Sequence, residues 1–253
     1  MGPLELIADS GRVRVSPKVA QVLALLLVRN GQFVSCASLI EELWEDTPPK
    51  TAVPTMQTYI VQLRKILAEV TGLSAAEVAE EVLRTRRAGY QLTLPDEAVD
   101  LAVHDNLLNA AEAALATDQD AAIALWQRAD RLWRGDLAAD VEHGRLLRSA
   151  AASLAEARIA VAERRLGIEL NRGRHREVLA ELAGLVREYP LHEGLHAKYM
   201  LALYRSGCRG RALQSYHGLR RAMADELGVE PALPLRRLFV DLLGDNEVLE
   251  PAG

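Results

Sequence analysis

The sequence predicts a mainly α-helical protein of two domains, with small β-sheets only in the N-terminal domain. The chain has 253 residues, whereas a single domain usually has roughly 100 to 200. Short segments that alternate apolar and polar residues lie within residues 1–95, and from Val99 onward Ala, Leu and Arg follow helical periodicity almost throughout. We therefore predict a mixed domain over residues 1–95 and an all-α domain over residues 96–253.

The first predicted element is a hairpin. Residues Leu4 to Val15 alternate apolar and polar side chains around a turn at Asp9 to Gly11. Ser16 and Pro17 then predict a helix start with the serine as N-cap, and the pair at positions 30 and 31, Asn-Gly, predicts the helix end. A strand pair therefore precedes the first helix.

Two further helices are predicted before residue 71. Ser35 offers an N-cap for a helix over Cys36 to Trp44, and a longer helix runs from Pro54 to about Val70. An apolar stripe on the longer helix faces the core, and its members are Met56, Ile60, Leu63 and Leu67. The opposite side of this helix is therefore free to contact a partner.

That opposite side suits the major groove of DNA. It carries Thr58, Val61, Gln62 and Lys65, and the helix has no acid before Glu69. Amide and cationic side chains reach base edges, while flanking hydroxyl and cationic side chains bind phosphates. An ordinary solvated helix face is the alternative interpretation.

A basic hairpin is predicted after this helix. Strands at Val82 to Thr85 and Tyr90 to Leu94 bracket a tight turn, and residues 82–94 contain no acid. The three arginines of this hairpin, which could track phosphates or enter a minor groove, are Arg84, Arg86 and Arg87. A solvated turn is the alternative. Residues 1–95 hold ten basic and ten acidic residues, so the net charge of −5 lies in the rest of the chain.

The rest of the chain is predicted to form stacked antiparallel helix pairs. Its breaks delimit helices of about 12 to 18 residues, with one longer stretch from Gly144 to Leu170. Gly173 and Gly207 lie 34 residues apart, which is the period of tetratricopeptide helical hairpins.

Several motifs in the same order resemble the Streptomyces antibiotic regulatory protein (SARP) family. In the N-terminal part they are Glu42 to Pro49, Thr55 to Leu67 and Leu83 to Tyr90. In the C-terminal part they are Leu132 to Gly135, Gly173 to His175, Tyr189 to Leu191, Met200 to Gly207 and Asp225 to Pro231, which resemble the bacterial transcriptional activation domain of these regulators. The resemblance covers nearly the whole chain.

This resemblance implies an OmpR-like winged helix-turn-helix followed by a tetratricopeptide-like all-α domain, in a transcriptional activator of an antibiotic or other secondary-metabolite gene cluster. It implies that protomers bind side by side to direct repeats in double-stranded promoter DNA and recruit RNA polymerase through its sigma factor. Relatives often carry Arg at the position of Gln62, so a different operator preference is expected. Because no glycine-rich phosphate loop occurs, a short form without a nucleotide-binding domain is expected.

The activator hypothesis divides the predicted DNA-binding residues into three groups. Bases are read by Thr58, Gln62 and Lys65. Phosphates are held by Lys50, Thr55, Gln57, Tyr59 and Arg64, and the wing carries Arg84, Arg86 and Arg87. The competing hypothesis is an adaptor, in which the helical domain binds a protein partner and the winged helix is vestigial or itself binds protein. The neutral charge of residues 1–95 keeps this alternative open.

An acidic cluster before the long helix has two interpretations. Its members are Glu41, Glu42, Glu45 and Asp46. They form either a solvated helix end or a surface that contacts RNA polymerase, which OmpR-like folds present between their second and third helices. The resemblance favours the second interpretation.

One pattern favours an enzyme instead. His192, Glu193 and His196 fit the H-E-x-x-H pattern of zinc proteases. The extended pattern needs Gly and His at positions where this chain has Tyr199 and Ala202. We therefore predict no catalytic residue, no metal site and no cofactor.

The expected location is the cytoplasm, at the nucleoid when the protein is bound to DNA. Cys36 and Cys208 lie far apart and in no metal-ligand spacing, as expected for reduced thiols. The longest apolar run, Val22 to Val28, is far shorter than the roughly 20 residues that cross a bilayer. No membrane contact is expected.

Overall fold

The computed structural model of the chain describes residues 1–244. They form two compact units, one of residues 1–158 and one from residue 159 onward. The predicted all-α domain extends to residue 253, so its end lies outside the described residues. Within the described part of the chain, no helix is both long and apolar enough to cross a membrane.

Short strands and helices alternate in the first unit. Its regular elements are β1 (Leu6–Ala8), β2 (Gly11–Val13), α1 (Pro17–Val28), β3 (Phe33–Ser35), α2 (Cys36–Trp44), α3 (Ala52–Thr71), α4 (Ala75–Glu77), β4 (Leu83–Arg86), β5 (Gly89–Leu92), α5 (Asp100–Ala114) and α6 (Gln119–Asp130). A π-helical turn over Val78–Val82 joins α4 to β4, and a 3₁₀ turn over Asp96–Ala98 precedes α5. Neither turn was predicted from the sequence.

The remaining described chain is helical. Its helices are α7 (Arg145–Asn171), α8 (Leu179–Glu188), α9 (Glu193–Arg205), α10 (Arg209–Leu227) and α11 (Leu233–Gly244). The long α7 matches the predicted stretch from Gly144 to Leu170. Gly173 and Gly207 both adopt positive φ, 76° and 78°, after the ends of α7 and α9. This equivalence supports the repeat spacing found in the sequence.

Two antiparallel sheets lie in the first unit. β1 and β2 form the predicted hairpin, and the second sheet has the order β3-β5-β4. Strand β3 was not predicted, and it pairs with β5 so that Val34 lies opposite Tyr90. A Cβ atom on Gly89 would lie 2.1 Å from the Val34 carbonyl oxygen, so only glycine fits this close approach of two strands.

Helix α3 packs its predicted stripe into the core of the first unit. Met56, Ile60, Leu63 and Leu67 are all buried, and the helix extends two residues before and one residue after the predicted range. Helix α2 has the predicted bounds, and the Ser35 hydroxyl accepts a hydrogen bond from the Ser38 amide.

The predicted cap of α1 is wrong in one respect. Ser16 has the extended backbone of an N-cap, but its side chain makes no capping hydrogen bond. Pro17 at the first turn fixes φ there and lacks an N–H that would need a partner. The helix ends at Val28, before Gly31, whose φ is 76°.

Candidate nucleic-acid interface

The solvent side of α3 has the exposure that the sequence predicted. Gln57, Thr58, Gln62 and Lys65 are exposed, as is Lys50 in the loop before the helix. Apart from Thr58, whose hydroxyl donates to the Pro54 carbonyl at 3.0 Å, their side chains make no hydrogen bond or ion pair within residues 1–244. Two amides and two ammonium groups are therefore available to an external partner.

Val61 is a functional candidate that the predicted site omitted. It lies between the exposed polar residues of α3, and 52% of its surface is accessible. An apolar side chain on a base-reading face can contact the thymine methyl group in the major groove. Its position opposite the buried stripe was the signal in the sequence, but only polar residues were chosen there.

Thr55 and Tyr59 differ from the other predicted phosphate ligands because both are half-buried. The Tyr59 ring packs against the core that contains Ile60 and Leu63. Their side chains lie at the border between the core and the exposed face of α3, so they present less polar surface than Gln57 or Lys65.

Arg64 binds the wing instead of projecting freely into solvent. Its Nε and Nη2 donate to the Leu83 carbonyl at 3.2 and 2.8 Å, and Nη2 also donates to the Thr85 hydroxyl at 2.8 Å. A planar guanidinium forms such a fork, which a lysine ammonium cannot reproduce. Arg64 therefore fixes strand β4 relative to α3, a role that the predicted phosphate contact did not include.

The wing is the β4–β5 hairpin with its turn at Arg87 and Ala88. Arg86 donates through Nε and Nη2 to the Gln91 amide oxygen at 3.0 and 2.8 Å, and the Gln91 amide donates to the Gly31 carbonyl at 2.8 Å. Arg84 donates to the Glu80 carbonyl at 2.6 Å. These contacts orient two of the three predicted wing arginines along the sheet.

Arg87 at the tip of the wing is exposed, and its side chain has no hydrogen-bond or ion-pair partner among residues 1–244. Tyr90, which pairs with Thr85 in the wing, is buried, and burial raises the pKa of its phenol with a smaller contribution from Cys36. Leu83 and Leu92, the pair at the base of the wing, are also buried, so the core-facing side of the wing is apolar while its tip carries an available cation.

The structure corrects the prediction for Glu42. Only 1% of its surface is accessible, and its carboxylate accepts hydrogen bonds from the amides of Gly144, Leu146 and Leu147 at 2.6, 2.9 and 3.0 Å. These amides belong to the start of α7, where helical N–H groups have no intrahelical acceptor. Glu42 caps α7 and cannot present its carboxylate to RNA polymerase.

Gly144 makes this cap possible. A Cβ atom at that position would lie 2.0 Å from the Glu42 carbonyl oxygen and 2.7 Å from the Glu42 Cδ atom. The Gln21 amide also donates to the Glu42 carbonyl at 2.7 Å. The backbones of α2 and of the α7 start therefore meet at a contact that only glycine allows.

The other three acids of the cluster form ion pairs with the first turn of α7. Arg145 lies 3.4 Å from Glu41 and 3.1 Å from Asp46, and Arg148 pairs with Glu45. Asp46 keeps 85% of its side chain exposed, whereas Glu41 and Glu45 each keep 40%. Of the predicted polymerase contacts, Asp46 is the most accessible.

Both histidines of the H-E-x-x-H segment make hydrogen bonds to other residues of the chain. The His192 imidazole accepts from the Leu195 amide at 3.2 Å, as the N-cap of α9. His196 is buried, with Nε2 3.1 Å from the Pro190 carbonyl and Nδ1 3.1 Å from the Ser215 hydroxyl. A carbonyl only accepts, so Nε2 carries the proton and Nδ1 accepts from Ser215.

Both nitrogens of His196 are thus engaged. Burial lowers the pKa of its imidazole, and the Pro190 carbonyl partly opposes this effect. Within the described residues, no group of three or more potential metal-ligating side chains comes together. The motif is accounted for by the packing at the start of α9.

Two protein families match the chain in the order that the fold suggests. Residues 10–92 match the family described as "Transcriptional regulatory protein, C terminal". Residues 99–243 match the family described as "Bacterial transcriptional activator domain". The families adjoin near residue 95, whereas the compact units divide at residue 158. The domain boundary at residue 95 stays a prediction.

Individual relatives agree with these families. The chain is 37% identical over 242 residues to "Regulatory protein DnrI" of Streptomyces peucetius, covering 94% of this chain and 88% of that protein. It is 35% identical over 251 residues to "Transcriptional regulator RedD" of Streptomyces coelicolor, covering 99% of this chain and 71% of that protein.

A solved structure confirms the predicted fold class. The structure of "Mycobacterium tuberculosis EmbR in complex with low affinity phosphopeptide" superimposes with a TM-score of 0.86 at 31% identity, over 96% of this chain. The chain spans 64% of that solved chain. A winged helix-turn-helix with small sheets and a tetratricopeptide-like helical region are thus the architecture of this protein.

Proposed function

Since the chain belongs to the Streptomyces antibiotic regulatory protein family of transcriptional regulators, we propose that it activates a promoter by laying α3 in the DNA major groove and the wing tip against the adjacent minor groove. The observation that carries this proposal is the exposed face of α3, whose amide and ammonium groups have no partner within residues 1–244. Gln62 and Lys65 read base edges, and Val61 contacts a thymine methyl group. We expect it to act in the cytoplasm, at the nucleoid.

Phosphate contacts come from cations around this face. Lys50 and Arg87 are exposed and have no side-chain partner within the described residues, so they can bind phosphates without losing an internal contact. Arg64 acts through the wing as a positioning residue, because two of its nitrogens are occupied by Leu83 and Thr85. Arg84 and Arg86 contribute charge from fixed positions on the sheet.

We further propose that protomers occupy direct repeats side by side and recruit RNA polymerase through its sigma factor, as the family resemblance implies. Asp46 is the candidate of the acidic cluster for this contact, because its side chain is largely exposed. Glu42 has no part in it. The regulated genes are those of a secondary-metabolite cluster, again as the family resemblance implies.

The test is DNA binding by Lys65→Gln and Arg87→Gln variants on the DNA upstream of the neighbouring genes. Arg87→Gln removes one phosphate contact and should reduce the slope of log K against log salt by about 0.9. Lys65→Gln removes a base contact and should weaken discrimination between operator and unrelated DNA. Arg221→Gln is the matched control, since Arg221 is exposed on α10 and lies in the second unit. Equal binding by all three variants would refute the assignment and favour the adaptor.

A further inference from the structure

The first unit contains a large cavity that the DNA-binding proposal does not use. Its volume is about 780 Å³, and it is lined by the β1 segment, α1, the end of α3, the segment after the wing, the start of α5 and the segment after α6. Pockets that bind drug-sized molecules usually measure about 300 to 1,000 Å³. The cavity is therefore large enough for a complete small-molecule ligand.

The lining is mainly aliphatic. Six half-buried side chains from five segments represent it: Leu27, Val70, Leu94, Leu101, Leu132 and Leu137. Water in such a space finds few hydrogen-bond partners, and protein interiors seldom leave voids much larger than one water molecule. The cavity thus favours an apolar occupant that displaces poorly bonded water.

The charges at the cavity leave one cation without a partner. Glu5 is bound by Arg134, which donates to its carboxylate at 2.8 Å, and Asp100 pairs with the ammonium group of Met1. Arg131 also lines the cavity and is exposed. Its side chain makes no hydrogen bond or ion pair within residues 1–244, so it is available to an anion at the cavity rim.

We propose that this cavity binds an amphipathic carboxylic acid, with its apolar part among the leucines and its carboxylate at Arg131. The wall includes Val70 and Thr71, which form the last turn of α3. An occupant therefore touches the proposed recognition helix directly. If the ligand binds free and DNA-bound protein with different affinities, the bound ligand must change the affinity of the protein for DNA by the same ratio.

The test uses dodecanoate and 1-dodecanol as probes, with calorimetry on the full chain. Wild-type protein should bind both in a saturable 1:1 manner. Arg131→Gln should weaken dodecanoate binding about three- to fivefold, as expected for an exposed ion pair, and leave dodecanol binding unchanged. Arg128→Gln, an exposed arginine one turn earlier in α6 and outside the cavity lining, should change neither.

A cavity-filling variant completes the design. Ala98 lines the cavity and is exposed, so Ala98→Trp should fill the entrance without disturbing the buried core and should abolish binding of both probes. If Ala98→Trp shows no cooperative unfolding and is therefore misfolded, the proposal is tested by the comparison of Arg131→Gln with Arg128→Gln alone. Absence of saturable binding to wild-type protein, or equal dodecanoate affinity of those two variants, overturns the proposal. Because no DNA is present, the result is independent of the proposed function.

Discussion

Replacing Glu42 by glutamine should destabilise the first unit far more than an ordinary surface substitution. In the structure, one carboxylate oxygen accepts from the Gly144 amide, and the other accepts from the amides of Leu146 and Leu147. The glutamine amide has only one acceptor oxygen. Its best orientation keeps the two bonds to α7, so the Gly144 amide then faces an NH₂ group.

The magnitude follows from these contacts. One buried amide without an acceptor costs about 1–3 kcal/mol. Loss of a negative charge at a partly buried helix N-terminus costs up to about 2 kcal/mol more. We expect Glu42→Gln to lower the free energy of unfolding by about 2–4 kcal/mol in total, and Glu42→Ala, which removes every bond between the carboxylate and the start of α7, to lower it further.

The assay is thermal and urea unfolding followed by tryptophan fluorescence and circular dichroism. A loss of this size corresponds to a fall in Tm of about 5–15 °C for a chain of this length. Glu41→Gln is the control, since Glu41 is 40% exposed and lies 3.4 Å from Arg145, and it should cost less than about 1 kcal/mol. A Glu42→Gln variant as stable as Glu41→Gln would refute the role of Glu42 as the cap of α7.

Three other substitutions test the wing and the second unit. Gly89→Ala should lower the free energy of unfolding by about 1–3 kcal/mol through overpacking, because the alanine Cβ would lie 2.1 Å from the Val34 carbonyl oxygen. The measurement is urea unfolding, and an unchanged midpoint would contradict the close approach of the two strands. Arg64→Lys should weaken operator binding while leaving the salt dependence of that binding unchanged, since the charge remains but the fork to Leu83 is lost. A changed salt slope in titrations of operator DNA would instead indicate a direct phosphate contact. His196→Gln should remove part of the acid sensitivity of the second unit, measured as Tm against pH.

The sign of the His196 effect follows from proton binding. Burial lowers its pKa in the folded state below the ordinary value of 6.5, so the unfolded chain binds the proton more readily. The contribution of neutral His196 to the stability of the folded state is therefore complete above the unfolded pKa. It decreases as the pH falls through 6.5 towards the folded pKa. A wild-type protein whose Tm changes no more than that of the variant between pH 7.5 and pH 5.5 would contradict this reasoning.

Local patterns predicted the elements that depend on nearby residues. The 3.6-residue period of Met56, Ile60, Leu63 and Leu67 identified the buried side of α3, because the apolar face of a helix is visible from residues within a few turns of one another. The bounds of α2 followed from its cap at Ser35 in the same way. The exposure of the predicted base-reading residues was a direct consequence of the same period.

Features that depend on distant pairing could not be predicted in this way. Strand β3 has three residues, and its partner β5 lies more than fifty positions later, so its own sequence carries little signal. Glu42 belongs to an acidic run that is typical of a solvated helix end, and its burial depends on amides about a hundred residues away. The fork of Arg64 likewise requires that the wing packs beside α3.

A base-resolution footprint on the DNA upstream of the neighbouring genes tests the central claim most directly. Wild-type protein should protect directly repeated sites in a salt-sensitive manner, and Lys65→Gln should lose that protection while Arg221→Gln keeps it. Contacts should fall in the major groove of each repeat, with the wing in the adjacent minor groove. Protection that does not depend on sequence, or an identical footprint from Lys65→Gln, would contradict promoter recognition by α3.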